Sequence, residues 1–149
     1  MAAVSNTSPL LRFTSIERLD LLGRVFGEVI VPPAAWTEIV TTGGHRPGAA
    51  EVARAPWIRQ QSPIPTALLA RLTQQLGLGE AEAIALANEF ARSAPLLIDD
   101  RQGRRIAREL GLPVVGSAGV LLLAKEAGLI PHPLRRVVTV VAGAKQSAP

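Results

Sequence analysis

The sequence predicts an α/β protein, a three-layer α/β/α sandwich with helices on both faces of a mainly parallel sheet. Three observations carry this expectation. Short apolar runs at residues 2–4, 29–31, 96–98 and 114–115 alternate with longer stretches whose apolar residues recur at helical spacing. Glycine or proline punctuates most of the junctions between them. The run Leu96-Leu97-Ile98 ends abruptly in Asp99-Asp100-Arg101, as a buried parallel strand does where its carboxyl end meets solvent.

Taken in order, Ala2-Ala3-Val4 is a first short strand and Ser5-Asn6-Thr7 the turn at its end. Ser8 as N-cap and Pro9 at the first helical position open a helix carrying Leu10, Phe13, Ile16, Leu19 and Leu22, which Gly23 stops. Residues 28–31 form a second strand, ended by Pro32-Pro33. A helix with Trp36, Glu38 and Ile39 follows, closed by Gly43-Gly44. Residues 45–65 signal more weakly: a short helix over 48–54, then Trp57-Ile58 as an edge strand. Helices follow over 66–76 and 80–90, then a strand over 96–99, a helix over 100–110 and a strand at Val114-Val115. Ser117 is expected to cap a last apolar helix through Ala127, stopped by Gly128. One domain over 1–134 is expected, followed by a basic, partly mobile tail over 135–149.

The 149 residues are enough for one buried core, and 48% hydrophobic against 19% charged residues excludes a disordered chain. With only 3% aromatics, Leu, Val, Ile and Ala must fill that core. The absence of cysteine excludes disulfides, thiolate zinc sites and thiol nucleophiles. A net charge of +4 permits a polyanionic partner without requiring one. No apolar run reaches the ~20 residues that span a bilayer, and the amino terminus has no basic region before a long apolar core. A cytoplasmic protein is expected.

In open α/β sheets, ligands bind outside the carboxyl ends of the strands. Asn6 follows the first strand, Asp99 and Asp100 the fourth, and Ser117 the last. Glu80 shares a helix face with Ile84, Ala87 and Ala91 and so begins a packed stripe, whereas Glu82 aligns with Leu86 and Glu89 on a wetter face. Glu38 sits in a short apolar helix. Two carboxylates 4 Å apart repel by roughly 4 kcal/mol at an effective dielectric of about 20. A converging cluster therefore needs a cation or must hold protons. Oxygen ligands suit Mg²⁺ or Mn²⁺ rather than zinc, and such an ion beside a basic helix is equipment for phosphodiester hydrolysis. Arg101, Arg104, Arg105 and Arg108 form i,i+4 pairs that could track a nucleic-acid backbone. Plainer roles exist for each group: a cap for Asp100 and Ser117, a first-turn acid for Glu80, an Asx-turn for Asn6, a solvated face for the arginines.

Sharper alternatives fall away. Gly77-Leu78-Gly79 has Glu82 where a dinucleotide fingerprint needs its third glycine, and Val115 stands where a nucleophile elbow needs its first. His45 and His132 are too isolated for a triad or a metal pair.

Four stretches, Val4-Ser5-Asn6-Thr7-Ser8-Pro9-Leu10, Val29-Ile30-Val31-Pro32-Pro33 with Glu38, residues 78–87 around Glu80, and Leu97-Ile98-Asp99-Asp100-Arg101, resemble the PIN domain. The resemblance is closer to the prokaryotic PIN-like subgroup related to the toxin ribonucleases of type II toxin–antitoxin modules, and runs over residues 3–130. It implies one or two Mg²⁺ or Mn²⁺ ions and cleavage of single-stranded RNA leaving a 3′ hydroxyl and a 5′ phosphate. It also implies a cognate antitoxin and a homodimer, whose interface the apolar helices near Leu10–Leu22 or Leu68–Leu76 could supply. Carried onto this sequence, the first family aspartate falls on Asn6, the helix glutamate on Glu38, the second-half acid on Glu80, and the strand-end aspartate on Asp100 with Asp99 beside it. The auxiliary hydroxyl falls on Ser117, and Arg101, Arg104 and Arg105 would position RNA. Asn6 departs from the pattern: its amide oxygen can bind a metal but brings no charge and cannot act as a base. A second reading is therefore a degraded module that binds RNA or a partner protein without cutting.

Overall fold

The computed structural model describes residues 2–130, in which the apolar runs become a five-stranded sheet. Its strands are β1 (Ala2–Ser5), β2 (Glu28–Val31), β3 (Ile58–Gln60), β4 (Leu96–Leu97) and β5 (Val114–Val115). Their order is β3-β2-β1-β4-β5 and every pairing is parallel. Val4 sits opposite both Ile30 and Leu96, which places the ends of β1 and β4 side by side.

Strand alternation divides the core in two. Ala3, Val29, Val31 and Leu97 face a cluster containing Leu10, Phe13, Leu21, Leu22 and Leu121. These come from α1 (Thr7–Ser15), α2 (Asp20–Phe26) and, at the far end of the chain, α8 (Ser117–Glu126). The same layer receives Ala35 and Ile39 from α3 (Pro33–Trp36) and the π-helical turn that continues it (Thr37–Thr41), and Val52 from α4 (Ala49–Arg54). Val4, Ile30, Leu96 and Ile98 face the opposite cluster, built on α5 (Ala67–Gln75), α6 (Leu78–Glu89) and α7 (Arg101–Glu109). Both faces are therefore covered, as the sandwich requires.

Several boundaries differ from the expectations. The single helix through residue 22 is two, because Glu17 adopts a left-handed φ of 58° and the Arg18 N–H bonds back to the Phe13 carbonyl. Asn6, not Ser8, occupies the N-cap position of α1. Gly23 lies inside α2 rather than ending it, and a Cβ there would stand 2.5 Å from the Trp57 ring. The glycine gives the indole its seat, and Gly27, at a φ of 79°, ends the helix. On the face expected to be wetter, Glu89 is exposed and Glu82 half-buried, but Leu86 between them is fully buried. Small alanines let this helix sit closely against the sheet and between its neighbours on more than one side.

Of the two apolar stretches named for an interface, Leu10, Leu19, Leu21, Leu22 and Leu72 are buried in the chain's own core, while Leu11 is exposed and Leu68, Leu69 and Leu76 are partly buried. No helix among the described residues is long and apolar enough to cross a membrane. His132 and the tail over 135–149 lie outside the described residues.

Candidate functional site

The carboxyl ends of β1 and β4 are tied by the Asn6 N–H, which donates to the Leu97 carbonyl at 3.0 Å. Asn6 is buried, and its side chain makes no capping bond to α1 although it stands at the cap position. It points instead toward Gly79 in the first turn of α6. A Cβ on Gly79 would lie 3.5 Å from Asn6 Oδ1, 3.9 Å from Thr7 Oγ1 and 4.0 Å from Glu38 Oε2. Three polar side chains from two segments thus meet over one missing side chain. Thr7 Oγ1 donates to Glu38 Oε2 at 3.1 Å, so an otherwise exposed glutamate is held toward the strand ends.

Glu80 comes next on α6. Burial pushes its carboxyl above the usual range, the neighbouring Asp100 charge pushes it further, its own backbone N–H opposes this, and Glu38 adds a smaller upward push. Glu80 is thus where burial and the charges of Asp100 and Glu38 act together on one carboxyl. Asp100 is the N-cap of α7, its Oδ2 accepting the Gly103 N–H at 2.7 Å. Gly103 permits this close approach, since a Cβ would stand 2.7 Å from Ile98 Cδ1 and 3.2 Å from Asp100 Oδ2. Asp100 Oδ1 accepts no hydrogen bond among the described residues. Capping and ion binding can coexist in this residue.

Asp99 and Ser117 instead pair with each other, and the expectation that Ser117 caps its helix needs correction. Asp99 is buried, with Oδ1 accepting the Ser117 N–H at 2.8 Å and Oδ2 the Ser117 hydroxyl at 2.5 Å. Arg12 Nε lies 3.6 Å from the same Oδ2. Asp99 is thus an anchor joining the ends of β4 and β5 to α1, with its oxygens already engaged. Ser117 is the first residue of α8, behind Gly116 at the cap position, and it is fully buried against Asp99. Its hydroxyl serves Asp99 rather than the helix end.

The arginines divide as well. Arg101 and Arg105 are exposed on α7, Arg105 within 3.9 Å of Glu109. Arg104 is half-buried, and burial followed by the Arg108 charge lowers its pKa against the opposing pull of Asp99. Its Nε, like Arg12 Nη1, is buried without a hydrogen-bond partner among the described residues.

Four contributions were missed in the sequence. Thr7 holds Glu38, Gly79 leaves the space, and Arg12 reaches Asp99. Glu82, assigned to a solvated face, accepts the Ala34 N–H with Oε1 at 2.8 Å and so satisfies the start of α3. Its partner is 48 residues away, beyond any local spacing rule.

The donors that do converge, Asn6, Glu38, Glu80 and Asp100, are all oxygen and carry excess negative charge, which fits Mg²⁺ or Mn²⁺ in type and in charge. Among the described residues no group of three or more acidic or histidine side chains is placed to hold a metal ion by itself. Mg²⁺ does not require one, since it keeps several waters and is commonly held by one or two protein carboxylates with substrate phosphate.

An all-parallel sandwich with acids gathered at the carboxyl ends of its strands defines a class of α/β domain whose chemistry lies at that edge. The DUF3368 family model, described as a PIN domain, matches residues 2–142, and the chain belongs to this family. In fold it is similar to a PilT N-terminus domain protein from the hyperthermophilic archaeon Sulfolobus solfataricus P2, with a TM-score of 0.58 and 21% identity. That alignment covers 89% of this chain and 98% of the archaeal one. No curated protein matches the chain significantly.

Proposed function

We propose that this PIN domain is a metal-dependent endoribonuclease acting on single-stranded RNA, the toxin-like component of a toxin–antitoxin module. The observation that carries the reading is geometric: Asn6 Oδ1 and Glu38 Oε2 meet over Gly79 beside Glu80, whose carboxyl is raised by burial and then by the Asp100 and Glu38 charges, in a family whose membership favours nuclease-like chemistry. Glu80 and Asp100 would hold Mg²⁺ or Mn²⁺, with Glu38 and the Asn6 amide beside them. Such an ion, when bound, acidifies a coordinated water and neutralises charge on the phosphate. The chain's own residues set the geometry. Thr7 holds Glu38, the Gly103 N–H holds one oxygen of Asp100, and the Asp99–Ser117 pair fixes the strand end from which Asp100 projects. Arg101 and Arg105 on the exposed face of α7, with Arg104 behind them, supply positive charge for the RNA backbone.

An antitoxin covering the acidic edge and a second copy of the chain belong to the same proposal. The exposed leucines of α1 and α8, Leu11, Leu122 and Leu123, are apolar surface that either could cover. The test is cleavage of a labelled single-stranded RNA pool in Mn²⁺, Mg²⁺ or EDTA. Metal-dependent products ending in a 3′ hydroxyl support the reading, and equal background in all three rejects it.

Asn6 favours a second reading, a module that binds RNA or a protein without cutting. Activity gained by Asn6→Asp from an inactive parent would select it.

A further inference from the structure

We infer that a groove beside the acidic edge receives one unpaired guanine of the RNA strand and sets a base preference next to the cut. The inference rests on the proposed function for its substrate. The groove has a volume of about 500 Å³ and lies between α3 with its π-helical turn and the start of α6, sharing Glu38 with the acidic edge. Pro33 and Leu78 are its apolar walls, and Leu78 is 55% exposed. Its polar groups are Thr37, Thr42, Glu38 and Glu82, and among the described residues no arginine or lysine lines it. A phosphate entering here would meet two carboxylates and no cation. A base is uncharged and has apolar faces that can rest on Leu78 and Pro33.

Charge also chooses among the bases. Glu82 spends Oε1 on the Ala34 N–H at 2.8 Å, which leaves Oε2 as an acceptor at the groove. A carboxylate offers only acceptors. Guanine presents two adjacent donors, N1–H and N2–H, on its Watson–Crick edge, and the two lone pairs of the one free oxygen can accept from both. Adenine and cytosine place a bare ring nitrogen beside their one amino group, and uracil flanks its single N–H with two carbonyl oxygens. That edge is open only in single strands, where RNA-binding proteins read it.

The test uses labelled oligouridine hexamers, unsubstituted or carrying one central guanosine, adenosine or cytidine. Binding to the full chain is followed by fluorescence anisotropy in EDTA, and cut positions are mapped separately in Mn²⁺. The guanosine hexamer should bind roughly tenfold more tightly than the others, toward the lower end of what one specific base contact is worth. Glu82→Gln keeps an amide oxygen for Ala34 but places a donor where the base needs an acceptor, so the guanine preference should disappear. Should that variant fail to fold, Leu78→Ala, at an exposed position, should also level the four affinities. Equal binding of all four hexamers to the parent, no binding at all, or a preference that survives in a folded variant overturns the inference. Cleavage without base preference removes the guanine site and leaves the nuclease reading; guanine-selective binding without metal-dependent cleavage does the reverse.

Discussion

Asp99 and Asp100 are neighbours in sequence, yet they belong to opposite halves of the sheet's carboxyl edge. On the β5 side, Asp99 is buried, accepts two hydrogen bonds from Ser117 and lies beside Arg12. On the α6 side, Asp100 is exposed, keeps one oxygen free of protein donors among the described residues, and raises the pKa of Glu80. One aspartate is balanced by the protein and the other is left in surplus. A balanced carboxylate contributes to folding, whereas surplus negative charge is a cost that a bound cation removes.

The largest expected effect lies on the surplus side. Asp100→Asn keeps a good N-cap for α7 while removing the charge, so metal-dependent cleavage should fall by about 100-fold or more with little change in melting temperature. Retained cleavage would place the reacting centre elsewhere. On the balanced side, Asp99→Ala should cost about 2–3 kcal/mol in urea unfolding, because Ser117 and Arg12 lose a buried acceptor. A variant as stable as the parent but unable to cut would overturn the division and make Asp99 a ligand. Asn6→Asp extends the surplus by one charge. Isothermal titration should show Mn²⁺ binding tightened by about tenfold, since cation affinity follows ligand charge count.

How much of this was legible in the sequence follows the same division. The apolar runs marked β1, β2, β4 and β5 at or within a residue or two of their observed bounds, most clearly where burial on both faces leaves a continuous hydrophobic signal, whereas the edge strand β3 signalled only weakly. Asn6, Glu80 and Asp100 were legible as edge residues because strand ends and helix starts are local features. Asp99 and Asp100 could not be told apart, since their difference comes from Ser117, 18 residues on, and from Arg12 across the sheet. Glu82 was misread for the same reason: periodicity locates a helix face but does not reveal that α3 needs an acceptor there. The break before α2 was hidden because the αL residue that closes α1 is Glu17, where a glycine would have announced it.

Gly79→Ala separates fold from site on a smaller scale. Its methyl would sit at ordinary contact distances, 3.5 Å from Asn6 Oδ1 and 4.0 Å from Glu38 Oε2, so the helix can accept it. Alanine is preferred to glycine within helices by up to about 1 kcal/mol, so thermal stability should hold or rise slightly. Cleavage should drop, because the methyl occupies the space where the donors meet. Unchanged cleavage would show that the reacting phosphate does not pass over this glycine.

The smallest effect, the pH dependence attached to Glu80, tests most directly whether the surplus charge is real. Its carboxyl is raised in the folded chain by burial, then by Asp100 and Glu38, so folded protein keeps that proton to higher pH than unfolded protein does. Where the folded state binds more protons, stability falls as pH rises. The loss should begin near the unfolded glutamate value of about 4.3 and be complete once pH has passed the folded one. Glu80→Gln removes this contribution. In EDTA it should melt slightly above the parent at neutral pH, and the advantage should vanish below about pH 4, where both side chains are neutral. Added Mn²⁺ should narrow the gap at neutral pH by stabilising the parent more than the variant. A variant less stable than the parent throughout would mean that Glu80, like Asp99, is a balanced carboxylate, and the boundary between the two halves of the edge would have to be redrawn on the far side of α6.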